Sequence, residues 1–232
     1  MLYCISRANL TKAQTMTTTT IDKLASFPWI VSSGTLRTED LLVRYWETAA
    51  QLGADLSAIL PTLERLVGED SSEADWSDDD ATECVLQLGD ILQELAPTGF
   101  YFGASEGDGA CFGFWVTEGW SDALETLGLG GDNPEGWASL IATLEDDGID
   151  PDNVEDAYQG RAEGWSEERA GADYAQQLAQ DSWLPEGPNG LGWNRWPVSC
   201  IDWAAAWREL EIGDGYRLHS IGGGDWLVFR AV

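Results

Sequence analysis

The sequence predicts an α+β chain, helix-rich with short antiparallel hairpins, in two or more small domains with an elongated acidic shape. Three observations predict it. Apolar residues recur at helical spacing in segments that open on capping residues. Two glycine-rich turns lie between apolar runs, which is hairpin chemistry. Charge also divides the 232 residues. Positions 1–68 hold six acidic and six basic side chains. Positions 69–232 hold 35 acidic side chains against six arginines, and so carry the whole net charge of −29.

Residues 1–20 read as a flexible tail. The run "TMTTTTID" is low in complexity and has no apolar face, and Met16 is an alternative start. An N-terminal α+β domain of unassigned role is expected over 21–118. Its first helix opens at Thr38, read as the N-cap, with Glu39 and Asp40 in the first turn, where the helix dipole favours acids. Leu41, Leu42, Tyr45, Trp46, Ala49 and Leu52 follow, and Gly53 ends it. Leu56, Ile59, Leu60, Leu63 and Leu66 form a second apolar set that Pro61 weakens. Next comes "DWSDDDATECVLQLGD", residues 75–90, with six carboxylates and no cation. Ser77 is read as a cap, with Asp78, Asp79 and Asp80 in the first turn. Val85, Leu86, Leu88, Ile91, Leu92 and Leu95 are read as the buried face. In "FYFGASEGDGACFGFWV", aromatic strands flank the turn Glu106-Gly107-Asp108-Gly109.

An acidic domain is expected over 119–232. Asn133-Pro134 places proline at a first helical position, ahead of Trp137, Leu140, Ile141 and Leu144. Asp150-Pro151 repeats the device ahead of Val154, Ala157 and Tyr158. Ser166 precedes a helix with Tyr174 and Leu178 inward. A loop runs from Leu184 to Pro197. Asp202 caps a helix with Trp203, Trp207 and Leu210 inward, and two strands close the chain around Gly222-Gly223-Gly224.

Apolar residues make up 44% of the chain, with 13 tryptophans, so it can bury a core. The tryptophans are read as core residues. No apolar run reaches membrane-spanning length and no signal-peptide centre is present, so a cytoplasmic chain is expected. Cys4, Cys84, Cys111 and Cys200 form no C-x-x-C pair and read as free thiols.

Signs of catalysis are missing. The single histidine, His219, lies in an expected strand and reads as structural. No G-x-S-x-G elbow, Walker motif or dinucleotide fingerprint occurs. Cys and His are too few for a zinc site, and "LEDDGIDPDNVE" lacks the first and last ligands of a calcium loop. The expectation is a protein that is not an enzyme and holds no cofactor or metal.

Nucleic-acid binders place Lys and Arg on phosphates, and here the sign is reversed. Nucleic acid and anionic membranes would be repelled and a basic partner attracted. Duplex DNA carries one charge per about 1.7 Å, so the excess matches roughly 50 Å of duplex. The acids also recur along most of the chain after Glu69, which suits a charged face better than one pocket. A rigid acidic decoy could then occupy a DNA-binding enzyme through that enzyme's own cations. The candidate contact residues form three groups. Asp78, Asp79, Asp80 and Glu83 lie on one helix. Glu145, Asp146, Asp147, Asp150, Asp152, Glu155 and Asp156 surround the next acidic run. Glu163, Glu167 and Glu168 follow.

The later half resembles the ArdA antirestriction family. The resemblance rests on "GIDPDNVEDAYQGRAEGWSEERAGADYAQQLAQD", with Ala157-Tyr158, Gly160, Trp165-Ser166 and Tyr174-Ala175. It continues through "SCIDWAAAWRELEIGDGYRL", where Ile201-Asp202-Trp203, Leu210 and Gly213-Asp214 match the family's ending, and through "WLVFR". It covers about 119–232. It implies an acidic mimic of B-form DNA, carried by mobile elements or phages, which occupies the DNA groove of a type I restriction-modification enzyme in the cytoplasm of a bacterial host cell, and it leaves a homodimer open. The first half departs from the family and resembles a recurring uncharacterised bacterial and phage module. Two alternatives stand beside this reading. One is a DNA mimic aimed at a CRISPR effector or another nuclease. The other is an acidic adaptor for a basic partner without mimicry.

Overall fold

The computed structural model describes residues 27–62, 79–130, 133–182 and 198–231. The chain folds as two compact units, residues 1–118 with 132–138 and residues 119–131 with 139–232. The described elements are helices and short antiparallel strands, so the expected α+β class holds. Among the described residues no helix is long and apolar enough to cross a membrane.

In the first unit, strand β1 (Ile30–Ser32) precedes helix α1 (Thr38–Gln51). Helix α2 (Asp79–Glu94) and the hairpin β2 (Phe100–Ser105) and β3 (Asp108–Val116) follow. The sheet order is β1-β3-β2. Period-two alternation puts Phe102 opposite Phe114 and Ala104 opposite Phe112 on one face. Tyr45 of α1 meets Phe102 and Phe112 edge-on at 5.0 and 5.9 Å. Burial of Tyr45 drives its phenol well above its usual pKa. Gly113 allows β1 to close on β3, because a Cβ there would fall 2.3 Å from the Trp29 carbonyl oxygen. That same oxygen accepts from the Phe114 amide at 2.9 Å.

Two details of the helices differ from the sequence reading. Thr38 is the first residue of α1 and not its cap. The N-cap position is Arg37, whose side chain makes no cap bond. The Thr35 hydroxyl accepts from the Arg37 amide and donates to Asp40, which braces the turn just upstream. The buried stripe of α2 is Ala81, Cys84, Leu88 and Leu92. Leu86 is 60% exposed. Two positions from Leu88 is about 200° of helix rotation, which turns it to solvent. Ser77, Leu63 and Leu66 lie outside the described residues, as does the loop Leu184–Pro197.

The second unit is a sheet with helices on both faces. Helix α3 (Glu118–Thr126) leads to α4 (Pro134–Asp146), whose residues to Ala138 group with the first unit, and to the single turn α5 (Val154–Ala157). Pro134 occupies the first helical position as expected, and Asn133 Oδ1 accepts from the Gly136 amide. Strand β4 (Tyr158–Glu163), helix α6 (Glu167–Ser182) and a short 3-10 turn (Val198–Cys200) come next. Helix α7 (Trp203–Gly213) and the hairpin β5 (Tyr216–Gly222) and β6 (Asp225–Arg230) complete it. The sheet order is β4-β6-β5, all antiparallel.

The expected helix after Asp150-Pro151 is a correction. Pro151 sits in a turn, the helix lasts four residues with Asn153 at its N-cap position, and Tyr158 already begins a strand. Strand β6 is central. Its Leu227, Val228 and Phe229 are fully buried, as a strand covered on both faces requires. On one face Val228, Ala162 and Tyr216 pack with Tyr174 of α6 and Trp207 of α7. On the other, Thr143 of α4 meets His219 of β5, whose ring also lies edge-on to Phe229. Gly171 lets α6 and α7 close, since a Cβ there would meet the Trp207 ring at 2.4 Å.

Candidate electronegative interface

Asp78 lies outside the described residues. Asp79, Asp80 and Glu83 are exposed on α2 of the first unit, and Glu83 accepts from Gln87 at 3.0 Å. Asp79 and Asp80 fill the first turn, where carboxylates favour the helix. Capping chemistry therefore accounts for part of this group.

The remaining candidates belong to the second unit, and all are exposed. Glu145 and Asp146 end α4, whose last turn carries no cation. The dipole opposes carboxylates at that end, by about 0.3–1 kcal/mol each. Helix chemistry does not account for them. Asp147 follows directly. The loop after it is braced by its own side chains. Asp150 Oδ1 accepts from the Asp152 and Asn153 amides, and Asn153 answers with bonds to the Asp150 amide and the Gly148 carbonyl. Gly148, at φ 78°, supplies the left-handed turn that starts it. Asp152, Glu155 and Asp156 are exposed on this braced segment.

Three candidates have structural work. Asp150 holds the loop. Glu145 accepts from the Trp120 indole at 3.2 Å. Asp147 Oδ2 lies 3.1 Å from His219 Nε2. His219 is only 6% exposed. The Thr143 hydroxyl donates to the Leu140 carbonyl, so it accepts from His219 Nδ1–H at 3.1 Å. Nε2 has the distance of an ion pair to Asp147 but not the alignment of a hydrogen bond. The ring is held between Thr143, Asp147 and the edge-on Phe229.

Glu163 ends β4, and Glu167 and Glu168 open α6. Ser166 accepts from the Arg169 amide at 3.3 Å, which places the helix start as the sequence suggests. Glu168 approaches Arg208 at 3.8 Å, both well exposed. Such a pair contributes about 0–1 kcal/mol.

The carboxylates stay uncompensated by number, 35 against six arginines over 69–232, and the arginines add few direct pairs. Among the described residues of the second unit there are five arginines. Arg161 donates to the Leu127 and Gly128 carbonyls. Arg217 donates to the Glu211 and Tyr216 carbonyls, and Arg230 to the Asp214 carbonyl. Arg169 lies over the Trp165 ring, 5.2 Å from its centre. Three of the five thus serve the backbone and one a ring, and carboxylate pairs are confined to two long contacts, Arg208–Glu168 and Arg230–Asp214.

The sequence reading placed the tryptophans in the core, and Trp165 departs from that. It is 84% exposed, whereas Trp120 and Trp207 are buried. Its neighbours in "AEGWSEE" were the available signal: polar, small and acidic residues with no apolar period. No group of three or more His, Cys, Asp and Glu that could hold a metal occurs among the described residues. No family model matches the chain, and no curated protein or solved structure matches it either.

Proposed function

We propose that the chain is an antirestriction protein that acts as a DNA mimic. It occupies the DNA-binding groove of a host defence enzyme, most simply a type I restriction-modification complex. One observation carries the reading. The excess of carboxylates sits on exposed positions, and the five described arginines of this unit are too few to offset it: four hold carbonyls or a ring of their own chain, and two approach a carboxylate only at 3.8 and 3.9 Å. Such a surface attracts a groove lined with Lys and Arg and steers its approach. Asp146 favours the reading further, because it stands where a helix tolerates a carboxylate least. The resemblance of 119–232 to ArdA supplies the named target. A CRISPR effector or another nuclease presents the same basic chemistry, as does a basic partner bound without mimicry.

The test is neutralisation in sets. Asp146, Asp152, Glu155 and Asp156 are exposed, and no hydrogen bond or ion pair of their side chains is seen among the described residues. Changing all four to amides should weaken inhibition of the type I enzyme by roughly tenfold or more, at up to about 1 kcal/mol each. Inhibition that survives the fourfold change unaltered would contradict the reading.

A further inference from the structure

The most exposed large apolar side chain described is Trp165, and its place in the chain is built rather than loose. Gly164, just before it, is clamped from three sides. Its amide donates to the Gly224 carbonyl at 2.8 Å. Its carbonyl accepts from the Trp226 indole at 2.8 Å. Its missing Cβ would fall 2.5 Å from the Ala170 amide nitrogen. Just after it, Ser166 caps α6 through the Arg169 amide. Arg169 covers the indole at 5.2 Å. The bend is therefore pinned to the β5–β6 turn, to the sheet and to the helix start. A large ring held at a fixed bend loses little freedom on binding, and tryptophan is the residue most enriched among interface hot spots.

The setting names the partner. Exposed Glu163, Glu167 and Glu168 flank the ring in sequence. Arg169 also lines a recess of about 300 Å³ with Asp173, Asp202 and Trp203. A second copy of this chain, with its own net charge of −29, would bring like charges together. A protein surface rich in Lys and Arg with an apolar socket among them complements both features.

We propose that Trp165 is the apolar anchor of the interface, seated in a socket on the basic partner, with Glu163, Glu167 and Glu168 close to it in the chain. The inference rests on the decoy reading and deepens it: electrostatics brings the surfaces together and the indole holds them. Carboxylate contacts weaken with salt, whereas an apolar contact does not. The two contributions therefore separate in one experiment.

The experiment measures Kd of the full chain for a purified type I methyltransferase core across a salt series. It compares the wild type, Trp165→Ala, and the triple change Glu163→Gln, Glu167→Gln and Glu168→Gln. Trp165→Ala should weaken binding roughly thirtyfold at every salt concentration, with an unchanged slope of log Kd against log salt. The triple change should flatten that slope. Trp165→Ala binding as tightly as the wild type would overturn the anchor and leave the decoy standing. A wild type that does not bind the core would overturn both. A Trp165→Ala chain that has lost a dimer on sedimentation would overturn the anchor by showing that the ring packs on a second copy.

Discussion

At the scale of single residues the carboxylates separate by what they touch. Asp147 and Asp150 are tied to His219 and to loop amides. Asp152 and Glu155 project from the same segment, with no side-chain hydrogen bond or ion pair seen among the described residues. Asp152→Asn or Glu155→Gln alone should shift Kd for the partner by less than about fivefold, as expected for one exposed charge pair. Competition binding checks this, and abolition of binding by either change would point to a focused site. Alkaline titration supplies a second residue-scale prediction. Burial, with weaker repulsion from Tyr216, Asp181 and Tyr158, pushes the Tyr174 phenol up to about 12. A group whose folded pKa exceeds its unfolded value gives stability that is complete below the unfolded value, here about 10, and is lost above it. Stability should therefore fall between about pH 10 and 12, and phenolate absorbance should lag behind that of an exposed tyrosine. Sequence legibility at this scale followed chemistry. Asp202 caps α7 through the Ala205 amide at 3.0 Å, as its position suggested. Thr38 did not cap α1, because the helix begins one residue earlier than expected, with Arg37 at the N-cap position.

At the scale of elements, glycines and helix ends decide more than periodicity. Gly171→Ala should raise helix propensity yet lower stability by about 1–3 kcal/mol, since the new methyl meets the Trp207 ring. Thermal melting checks it, and a stabilised variant would show that α6 and α7 have room to part. Asp146→Asn should act in the opposite sense. Removing a charge from the C-terminal end of α4 should raise stability by about 0.3–1 kcal/mol while slightly weakening partner binding. A loss of stability instead would mean that the carboxylate has structural work. Both hairpins were legible from Gly107 and from Gly222-Gly223-Gly224, because tight turns restrict residue choice. Strand β4 was not. Its pattern, Tyr158 through Glu163, carries two charges, and only Ala162 is fully buried in it. Its partner β6 lies more than sixty residues later, so the long-range pairing overrides weak local preference. The face of α2 was misread around Leu86, where an apolar residue outside the stripe stays in solvent.

At the scale of the whole molecule, net charge is the property that the decoy reading ties to both stability and binding. Charge of −29 on 232 residues repels itself, so added salt should raise the melting temperature of the free chain while it weakens partner binding. The two opposite responses belong to the same carboxylates. The candidate surface was legible in the sequence as composition, since acids distribute outward wherever they fall. What the sequence did not show was how the arginines are used, because a guanidinium that caps carbonyls and one that neutralises a carboxylate look alike in a string of letters. The exposed Trp165 was hidden for a similar reason, as exposure depends on which elements arrive from elsewhere in the chain. The decoy reading meets its sharpest test in competition. Purified type I methyltransferase core, holding labelled target duplex, is titrated with this protein over a range of salt concentrations. A decoy should displace the duplex stoichiometrically at low salt, with mutually exclusive binding that weakens steeply as salt rises. Simultaneous binding of protein and duplex, or no displacement at low salt, would contradict it.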